Sequence, residues 1–433
     1  MKTTIALLFF FFVLFTTTKA QTLIRWDFED SVTSTLQPTL ISNPESISVN
    51  PVAFSNLFAP QGMSVFTAGV SGQLADRAIN VRGWSLNDEE GYWLNDWIEF
   101  RFFVDTGVAL VVDSVSFWYK KNYTGPRRLD FRSHKDSYAE PIDSIILEEL
   151  DVAWHKWSVS LDSFFVSGFE QVTFRIYGTD AVINNLGILA NDSVAIYGRV
   201  LPPVEVPMKV VLSGPWNGLS MSDSLRHKGF VPLIDPYGFG RNTTPEILEI
   251  LGSDAVVDWV IVQLRDSIDP GLVSSENAFL LQRDGDVVDT DGVSSPKFYV
   301  DAAQYYVAVL HRNHLGVVTA SAVSLGDTID FTSGETPVLG VESLRPLGAY
   351  WGLWDGDVNG DNLIKYTGTG NDRDIVLLDI GGILPTNVES GYFDSDVNMD
   401  GLVKYTGSSN DRDPILLSIG GVLPTNIRTA QLP

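Results

Sequence analysis

Two acidic stretches near the C-terminus repeat one another and constrain the fold more than any other feature of the sequence. Asp394 corresponds to Asp355, a separation of 39 residues (394 − 355 = 39). Both stretches contain the spacing Asp-x-Asn-x-Asp, a Lys-Tyr-Thr-Gly run and an Asn-Asp-Arg-Asp run. The trailing Pro385-Thr386-Asn387 recurs as Pro424-Thr425-Asn426. The chain therefore contains a duplicated unit.

Each copy places oxygen-bearing side chains at alternate positions, the spacing of a loop that surrounds a hard cation. Calcium takes about six to eight oxygen ligands, and the seventh residue of such a loop contributes its main-chain carbonyl. A solvated acidic turn is the alternative, which two copies with matching flanks disfavour. The sequence predicts two calcium sites with these ligands: Asp357, Asn359, Asp361 and the carbonyl of Leu363 in the first copy, and Asp396, Asn398, Asp400 and the carbonyl of Leu402 in the second.

The end of each loop departs from the common pattern. The twelfth position is normally acidic, but here it is Gly368 in the first copy and Gly407 in the second, which carry no ligand atoms. A short apolar run with an Asn or Asp cap follows and predicts a helix. We interpret residues 365–370 and 404–409 as insertions. The candidate closing ligands are Asp372 and Asp411, with Asp374 and Asp413 as the alternatives.

The paired loops and helices resemble the dockerin type I repeat. They are more similar to a dockerin-like variant with the Lys-Tyr-Thr-Gly and Asn-Asp-Arg-Asp runs, which ends secreted bacterial surface proteins. The resemblance implies one calcium ion in each copy and a cohesin-like protein partner. The insertion alters the helix face that cohesins contact, so the partner is the less specific part of this expectation.

The N-terminus and the composition point to export. Residues 1–20 have the order of a secretory signal, with Lys2, an apolar run from Ile5 to Phe15 and small residues before Gln21. No later stretch approaches the roughly 20 apolar residues of a membrane span. The net charge of −25 disfavours nucleic acid and anionic membranes as partners. We expect a secreted or cell-surface protein.

Most of the remaining chain has the pattern of β-strands. Apolar residues alternate with polar ones at Ile98, Phe100 and Phe102, as in half-buried antiparallel strands. The predicted fold class is mainly β, with two antiparallel β-sandwich domains followed by a small loop–helix repeat that binds calcium. The predicted divisions are a signal peptide at 1–20, a jelly-roll-like sandwich at 21–200, a linker at 201–207, a second β-sandwich module at 208–331, a linker at 332–349 and the repeat at 350–433.

Both β regions resemble modules of bacterial surface proteins. Ile24–Glu29 and Ser116–Lys121 resemble parts of a lectin-like or carbohydrate-module-like sandwich. Leu212–Gly218 and His311–Gly316 resemble parts of a module that often precedes calcium repeats. The resemblance implies no known ligand and no catalytic role.

One loop of the first β region combines aromatic rings with carboxylates and amides. These side chains stack on sugar rings and bond to hydroxyl groups. A core position for the tryptophans is the alternative. The candidate glycan-binding residues are Trp84, Tyr92, Trp93 and Trp97.

The sequence offers no catalytic residues by motif. It lacks a nucleophile elbow, a phosphate loop and a zinc protease helix motif. The pair His311 and His314 would need a third metal ligand, so a polar turn is favoured. We predict a non-catalytic surface or matrix protein whose loops bind two calcium ions and rigidify or dock the tail. The alternative is a carbohydrate-binding protein, or a dockerin-borne component of a polysaccharide-degrading complex, and a glycoside hydrolase is the least favoured.

Overall fold

Strands dominate both halves of the chain, so the mainly β prediction is confirmed. The computed structural model describes residues 21–26, 28, 40–41, 46–54, 78–82, 84, 96–105, 107–150, 152–167, 170–183, 187–300 and 304–433. The chain divides into two units, Met1–Pro202 and Pro203–Pro433. The division falls inside the segment 201–207 that the sequence predicts as a linker. The predicted signal peptide lies outside the described residues.

The first unit contains two antiparallel sheets. Its described strands are β1 (Gln21–Trp26), β2 (Leu40–Ile41), β3 (Ile47–Val49), β4 (Ala53–Phe54), β5 (Ile79–Arg82), β6 (Trp97–Val104), β7 (Ala109–Lys121), β8 (Arg128–Ser133), β9 (Asp143–Ile146), β10 (His155–Ser167), β11 (Gln171–Thr179) and β12 (Ile188–Leu201). One sheet has the order β10-β7-β12-β1-β2, with β5 beside β12. The other has the order β3-β6-β11-β8-β9, with β4 beside β6.

Side chains from both sheets share one core. Phe100 of β6 lies with its ring centroid 5.4 Å from that of Trp26 in β1. Phe131 of β8 lies 6.4 Å from Phe117 of β7. All four side chains are buried. Since β1 and β7 belong to one sheet and β6 and β8 to the other, these contacts define a two-sheet sandwich.

The second unit combines strands with short helices. Its strands are β13 (Val204–Glu205), β14 (Met208–Lys209), β15 (Val256–Arg265), β16 (Val273–Gln282), β17 (Asp286–Val288), β18 (Lys297–Phe298), β19 (Gln304–His311), β20 (His314–Val318), β21 (Val323–Ser324), β22 (Ile329–Asp330), β23 (Arg345–Leu347), β24 (Tyr350–Gly352), β25 (Leu363–Lys365), β26 (Val388–Ser390), β27 (Leu402–Lys404) and β28 (Ile427–Thr429). Its helices are α1 (Ser224–His227), α2 (Pro245–Leu248), α3 (Asp372–Asp379) and α4 (Arg412–Ser418). Nowhere in the described part of the chain is a helix long and apolar enough to cross a membrane.

A single large sheet replaces the second sandwich that the sequence predicts for residues 208–331. Its order is β20-β19-β15-β16-β17-β14-β22, with β21 beside β19, and β14 pairs with β22 in parallel. The segment between β14 and β15 covers this sheet in place of a second one. Leu225 of α1 and Trp259 of β15, both buried, belong to the same core. Alternating apolar residues predict that one face of a sheet is buried, but they do not specify what covers that face. The prediction of a second sheet therefore went beyond the pattern.

Strand pairs join the two copies of the repeat. In β25 and β28, Leu363 lies opposite Thr429, and in β26 and β27, Val388 lies opposite Lys404. The segment that precedes the first loop also bridges to the large sheet through Asp355, which pairs with His314. By its contacts the repeat belongs to the unit Pro203–Pro433, within which its apolar side chains form a core cluster of their own with Leu315.

Candidate metal centres

Main-chain hydrogen bonds to its own side chains curl the first acidic loop. Asp357 accepts bonds from the N–H groups of Asp361 and Asn362, both at 3.1 Å. Asn359 Oδ1 accepts a bond from the same Asp361 N–H at 2.9 Å, and Asp361 Oδ1 accepts one from Leu363 at 2.9 Å. Asn362 has a φ of 64°, a left-handed conformation that asparagine adopts more readily than most residues. The structure thus brings the predicted ligands of the first copy into one tight turn.

Asp372 connects the start of α3 to this turn. It is fully buried, and its Oδ1 accepts a bond from the Val358 N–H at 2.8 Å. Its Oδ2 accepts a bond from the Lys365 N–H at 2.7 Å. Asp374 lies elsewhere: it is bonded to Asn371 and Arg373, each at 2.8 Å, and its side chain is 59% exposed. Of the two candidate closing residues, Asp372 is the one that contacts the loop.

The second copy repeats this arrangement. Asp396 accepts bonds from the N–H groups of Asp400 at 3.1 Å and Gly401 at 2.7 Å. Asp411 accepts bonds from Val397 at 2.9 Å and Lys404 at 2.8 Å. The remaining candidates also match the first copy. Asn398 accepts a hydrogen bond from the Asp400 N–H, and Asp400 accepts one from the Leu402 N–H. Asp413 accepts hydrogen bonds from the side chains of Asn410 and Arg412.

The insertions link one copy to the other. Thr367 in the first insertion donates a hydrogen bond to the carbonyl of Pro424 at 2.8 Å. Thr406 in the second donates one to the carbonyl of Pro385 at 2.9 Å. These reciprocal bonds give a structural reason for the extra residues that separate the loops from Asp372 and Asp411.

Two carboxylates in each copy are buried, and the carboxylates within a copy repel one another. Burial raises the pKa of Asp357 to about 7, and the charges of Asp372 and Asp361 add to this shift. Burial also raises the pKa of Asp372 to about 6, although main-chain hydrogen bonds oppose it. In the second copy burial raises the pKa of Asp396 to about 7 and, with the charge of Asp396, that of Asp411 to about 8. Negative charge in these loops is therefore costly without a cation.

The composition of the donor sets fits a hard cation. Among the described residues, no three His, Cys, Asp or Glu side chains form a metal cluster by themselves. Each copy combines Asp carboxylates with an Asn amide oxygen, which is a neutral oxygen donor. Calcium accepts such neutral oxygens, whereas zinc prefers nitrogen and sulfur. The residues that are present thus fit calcium.

The structure corrects one part of the predicted glycan site. Trp84 is fully buried and donates its indole N–H to the Val81 carbonyl at 3.1 Å, so it belongs to the core. Trp97 is half-buried, with the Arg175 guanidinium 4.0 Å from its ring centroid. Tyr92 and Trp93 lie outside the described residues. A core tryptophan and a surface tryptophan have the same local sequence pattern, so the sequence could not separate them.

A buried charged cluster in the second unit escaped the sequence interpretation. Asp258 is fully buried in β15, where it accepts bonds from His311 Nε2 at 3.2 Å, Arg312 Nε at 3.0 Å and the Tyr392 hydroxyl at 2.6 Å. Asp258 is the one acidic residue in the run Val256–Leu264. A carboxylate within such an apolar strand was the available signal, because a buried charge requires partners.

The two histidines beside this cluster form a polar turn, as the sequence favoured. His314 donates its Nδ1 hydrogen to Asn313 Oδ1 at 2.7 Å and accepts a bond at Nε2 from the Gly214 N–H at 3.1 Å. Since His311 Nε2 donates to Asp258, its Nδ1 is the acceptor for His314 Nδ1 at 3.0 Å. Both imidazoles thus use their nitrogen atoms within the protein, which leaves no lone pair directed at a metal.

Comparisons with known proteins find only distant similarity. No family model and no curated protein match the chain. A cleaved adhesin domain of Lys-gingipain from Porphyromonas gingivalis is 14% identical over 41% of this chain and 98% of its own, with a TM-score of 0.23. A family 27 carbohydrate-binding module of Caldicellulosiruptor saccharolyticus, solved with mannohexaose, is 14% identical over 34% of this chain and 97% of its own, with a TM-score of 0.22.

An enzyme also appears among the similar solved structures. The arabinose-bound MgGH51 α-L-arabinofuranosidase is 8% identical over 41% of this chain, with a TM-score of 0.28. This chain spans 27% of that enzyme's length. Identities and TM-scores this low assign the chain to none of these families.

Proposed function

We propose that this protein is an exported, non-catalytic surface or matrix protein whose duplicated loops bind two calcium ions. One observation supports the proposal above the others: each loop buries two aspartates, Asp357 with Asp372 and Asp396 with Asp411. Among the described residues, no Lys or Arg side chain forms an ion pair with any of these four aspartates. Buried charges require a partner, and a divalent cation would supply it.

The proposed ligands divide into side chains and carbonyls. Calcium would neutralise the carboxylates, and the protein would hold their positions through the main-chain hydrogen bonds that curl each loop. A carboxylate oxygen that accepts one N–H bond keeps a lone pair for the metal. The first set is Asp357, Asn359, Asp361, the Leu363 carbonyl and Asp372, and the second is Asp396, Asn398, Asp400, the Leu402 carbonyl and Asp411. A cohesin-like partner for the tail stays a prediction from the dockerin resemblance.

Calorimetric titration of the mature protein with calcium tests this proposal, and two variants test the closing residue. Asp372→Ala should weaken binding at the first site by about tenfold or more, since it removes a charged ligand. Asp374→Ala, the control at the same helix end, should change that affinity by less than about twofold, because its side chain faces Arg373. Equal effects of the two variants would contradict the assignment of Asp372. Absence of any calcium binding would reject the proposal itself.

A second candidate function is glycan binding by the first unit. On the face of the β6-β11-β8 sheet opposite the core, the Arg175 guanidinium lies 4.0 Å from the ring centroid of Trp97 and 3.8 Å from that of Tyr138. Arg175 also donates to Glu99 at 2.8 Å. Aromatic rings beside a guanidinium are groups that recognise sugar rings and hydroxyls, and the buried Glu99 carboxylate holds that guanidinium in place.

A glycan array identifies a ligand for this face, and single variants then localise it. Trp97→Ala should weaken binding to any glycan so identified by roughly tenfold. Tyr123→Ala provides a control, since Tyr123 is 59% exposed and follows the end of β7. An unchanged affinity of the Trp97 variant would contradict glycan binding at this face.

The same protein preparation, incubated with polysaccharides, should show no hydrolysis. If hydrolysis does occur and is lost in Glu99→Gln, the non-catalytic assignment is overturned.

A further inference from the structure

The two acidic loops have the same fold but different surroundings. Asn359 to Asn362 of the first loop are exposed to solvent. The equivalent residues of the second loop, Asn398 to Gly401, are buried or half-buried. This contrast arises because the second loop packs on the β-sheet region of the same unit, residues 203–331.

Met399 is one residue that makes this contact. It stands where the first copy has Gly360, and each has a positive φ, 56° for Met399 and 68° for Gly360. Methionine is unfavourable in this conformation, whereas glycine adopts it freely. Yet Met399 is 1% exposed and belongs to the same core as Trp259, while a side chain at Gly360 would meet no atom within 4 Å. The second loop thus inserts a side chain into the core of the sheet region.

Asn313, in the turn between β19 and β20, holds the main chain of the second loop through two hydrogen bonds. Its Nδ2 donates to the carbonyl oxygens of Asp394 at 3.0 Å and Asp396 at 2.9 Å. Asn313 is itself fully buried, and His314 fixes its Oδ1 through the bond at 2.7 Å. The His314 imidazole therefore fixes the orientation of the Asn313 amide, and the Asn313 amide in turn fixes the main chain at Asp396.

Close approach of the backbone adds to this attachment. A side chain at Gly214 would lie 2.1 Å from the Val397 carbonyl oxygen, so the two segments touch through their main chains. Lys228 donates a hydrogen bond to the Asp400 carbonyl. In the described residues of this unit, no hydrogen bond from residues 203–331 reaches the segment Asp357–Leu363.

We infer that the two calcium sites are inequivalent: the second is a preorganised structural site shared with the β-sheet region, and the first is an open site that exchanges calcium with solvent. The inference rests on the proposed calcium binding. A loop that is already held in place loses less conformational freedom when the ion binds, and its affinity is correspondingly higher. Calcium would fill the second loop first, so that only the first loop would respond when the external calcium concentration varies.

Single-site variants of the full mature chain test this order. Asp396→Ala leaves only the first site, and Asp357→Ala leaves only the second. Calorimetry should give a dissociation constant for the second site that is lower by about tenfold or more, and stopped-flow chelation should show slower calcium release from it. Equal constants, or a tighter first site, would overturn the inference.

Contact variants then test its cause. Asn313→Ala and Met399→Gly should each weaken the second site by about tenfold and leave the first unchanged. Met399→Leu keeps an apolar side chain in the core and should retain the high affinity of the second site. It therefore controls for a loss of affinity that is caused by unfolding alone. Gly360→Met, the reciprocal exchange, should not tighten the first site, because no core lies beside it. Weakening of both sites to the same extent would overturn the inference, whereas a wild-type chain that binds no calcium would reject the proposed function instead.

Discussion

Chelation of calcium with EGTA at pH 8 should destabilise the second unit strongly and expose residues 345–433 to proteases. Extracellular calcium modules bind with dissociation constants of about 10⁻⁴ to 10⁻³ M. At a hundredfold excess over such a constant, each ion stabilises the folded state by about 2.7 kcal/mol. The chain has no cysteine, so no disulfide compensates for the loss. Thermal unfolding and limited proteolysis with and without EGTA measure the effect.

This loss should be smaller at pH 6 than at pH 8. Burial raises the pKa of Asp357 to about 7 and that of Asp411 to about 8 in the folded protein without metal. A carboxyl with a raised folded pKa stabilises the fold below its unfolded pKa of about 4 and ceases to do so as the pH rises through the folded value. The metal-free repeat is therefore least stable above about pH 8, where calcium contributes most. An unfolding temperature that EGTA leaves unchanged at pH 8 would contradict this account, and magnesium in place of calcium provides the control.

Asp258→Ala should cost about 3–5 kcal/mol in the free energy of unfolding of the second unit, since it leaves Arg312 buried without its nearest counter-charge and His311 without an acceptor for its Nε2 hydrogen. Burial alone would raise the pKa of Asp258, but Arg312 and the bond from His311 outweigh it and lower the pKa to about 2. The stabilisation is thus complete above about pH 4 and is lost as the pH falls toward 2. Urea unfolding between pH 2 and pH 7 measures both effects.

An exposed ion pair offers the matched comparison. Asp286 pairs with Lys209 at 2.6 Å, with side-chain exposures of 43% and 36%. Asp286→Ala should cost less than about 1 kcal/mol, because solvent screens an exposed pair. If Asp258→Ala destabilises the unit no more than Asp286→Ala does, the buried cluster has no special energetic role.

The repeat was the most predictable part of the molecule because its information is local. Alternate oxygen-bearing positions curl a loop whatever surrounds them, so the sequence indicated the positions of Asp357 and Asn359. The choice between Asp372 and Asp374 followed from the helix cap at Asn371, which sends successive side chains in different directions. None of this required knowledge of the remaining chain.

Long-range packing was beyond the sequence pattern. Asn313 and Asp396 are distant in the chain, and no spacing rule relates them. The exchange of Gly360 for Met399 between the two copies does not by itself indicate that the methionine side chain is buried. The cover of the large sheet by the segment between β14 and β15 has the same cause, since an apolar strand face does not specify its partner.

The pairing of β25 with β28 has a consequence for the order of events during synthesis. The strand that follows the first calcium loop finds its neighbour only at Ile427–Thr429, beyond the second loop and α4. A chain that emerges from its amino end therefore presents the first loop long before the strand beside it exists. The second loop, by contrast, meets a sheet that has already been made. We therefore expect the first loop, although it is translated before the second, to acquire its full set of neighbours last.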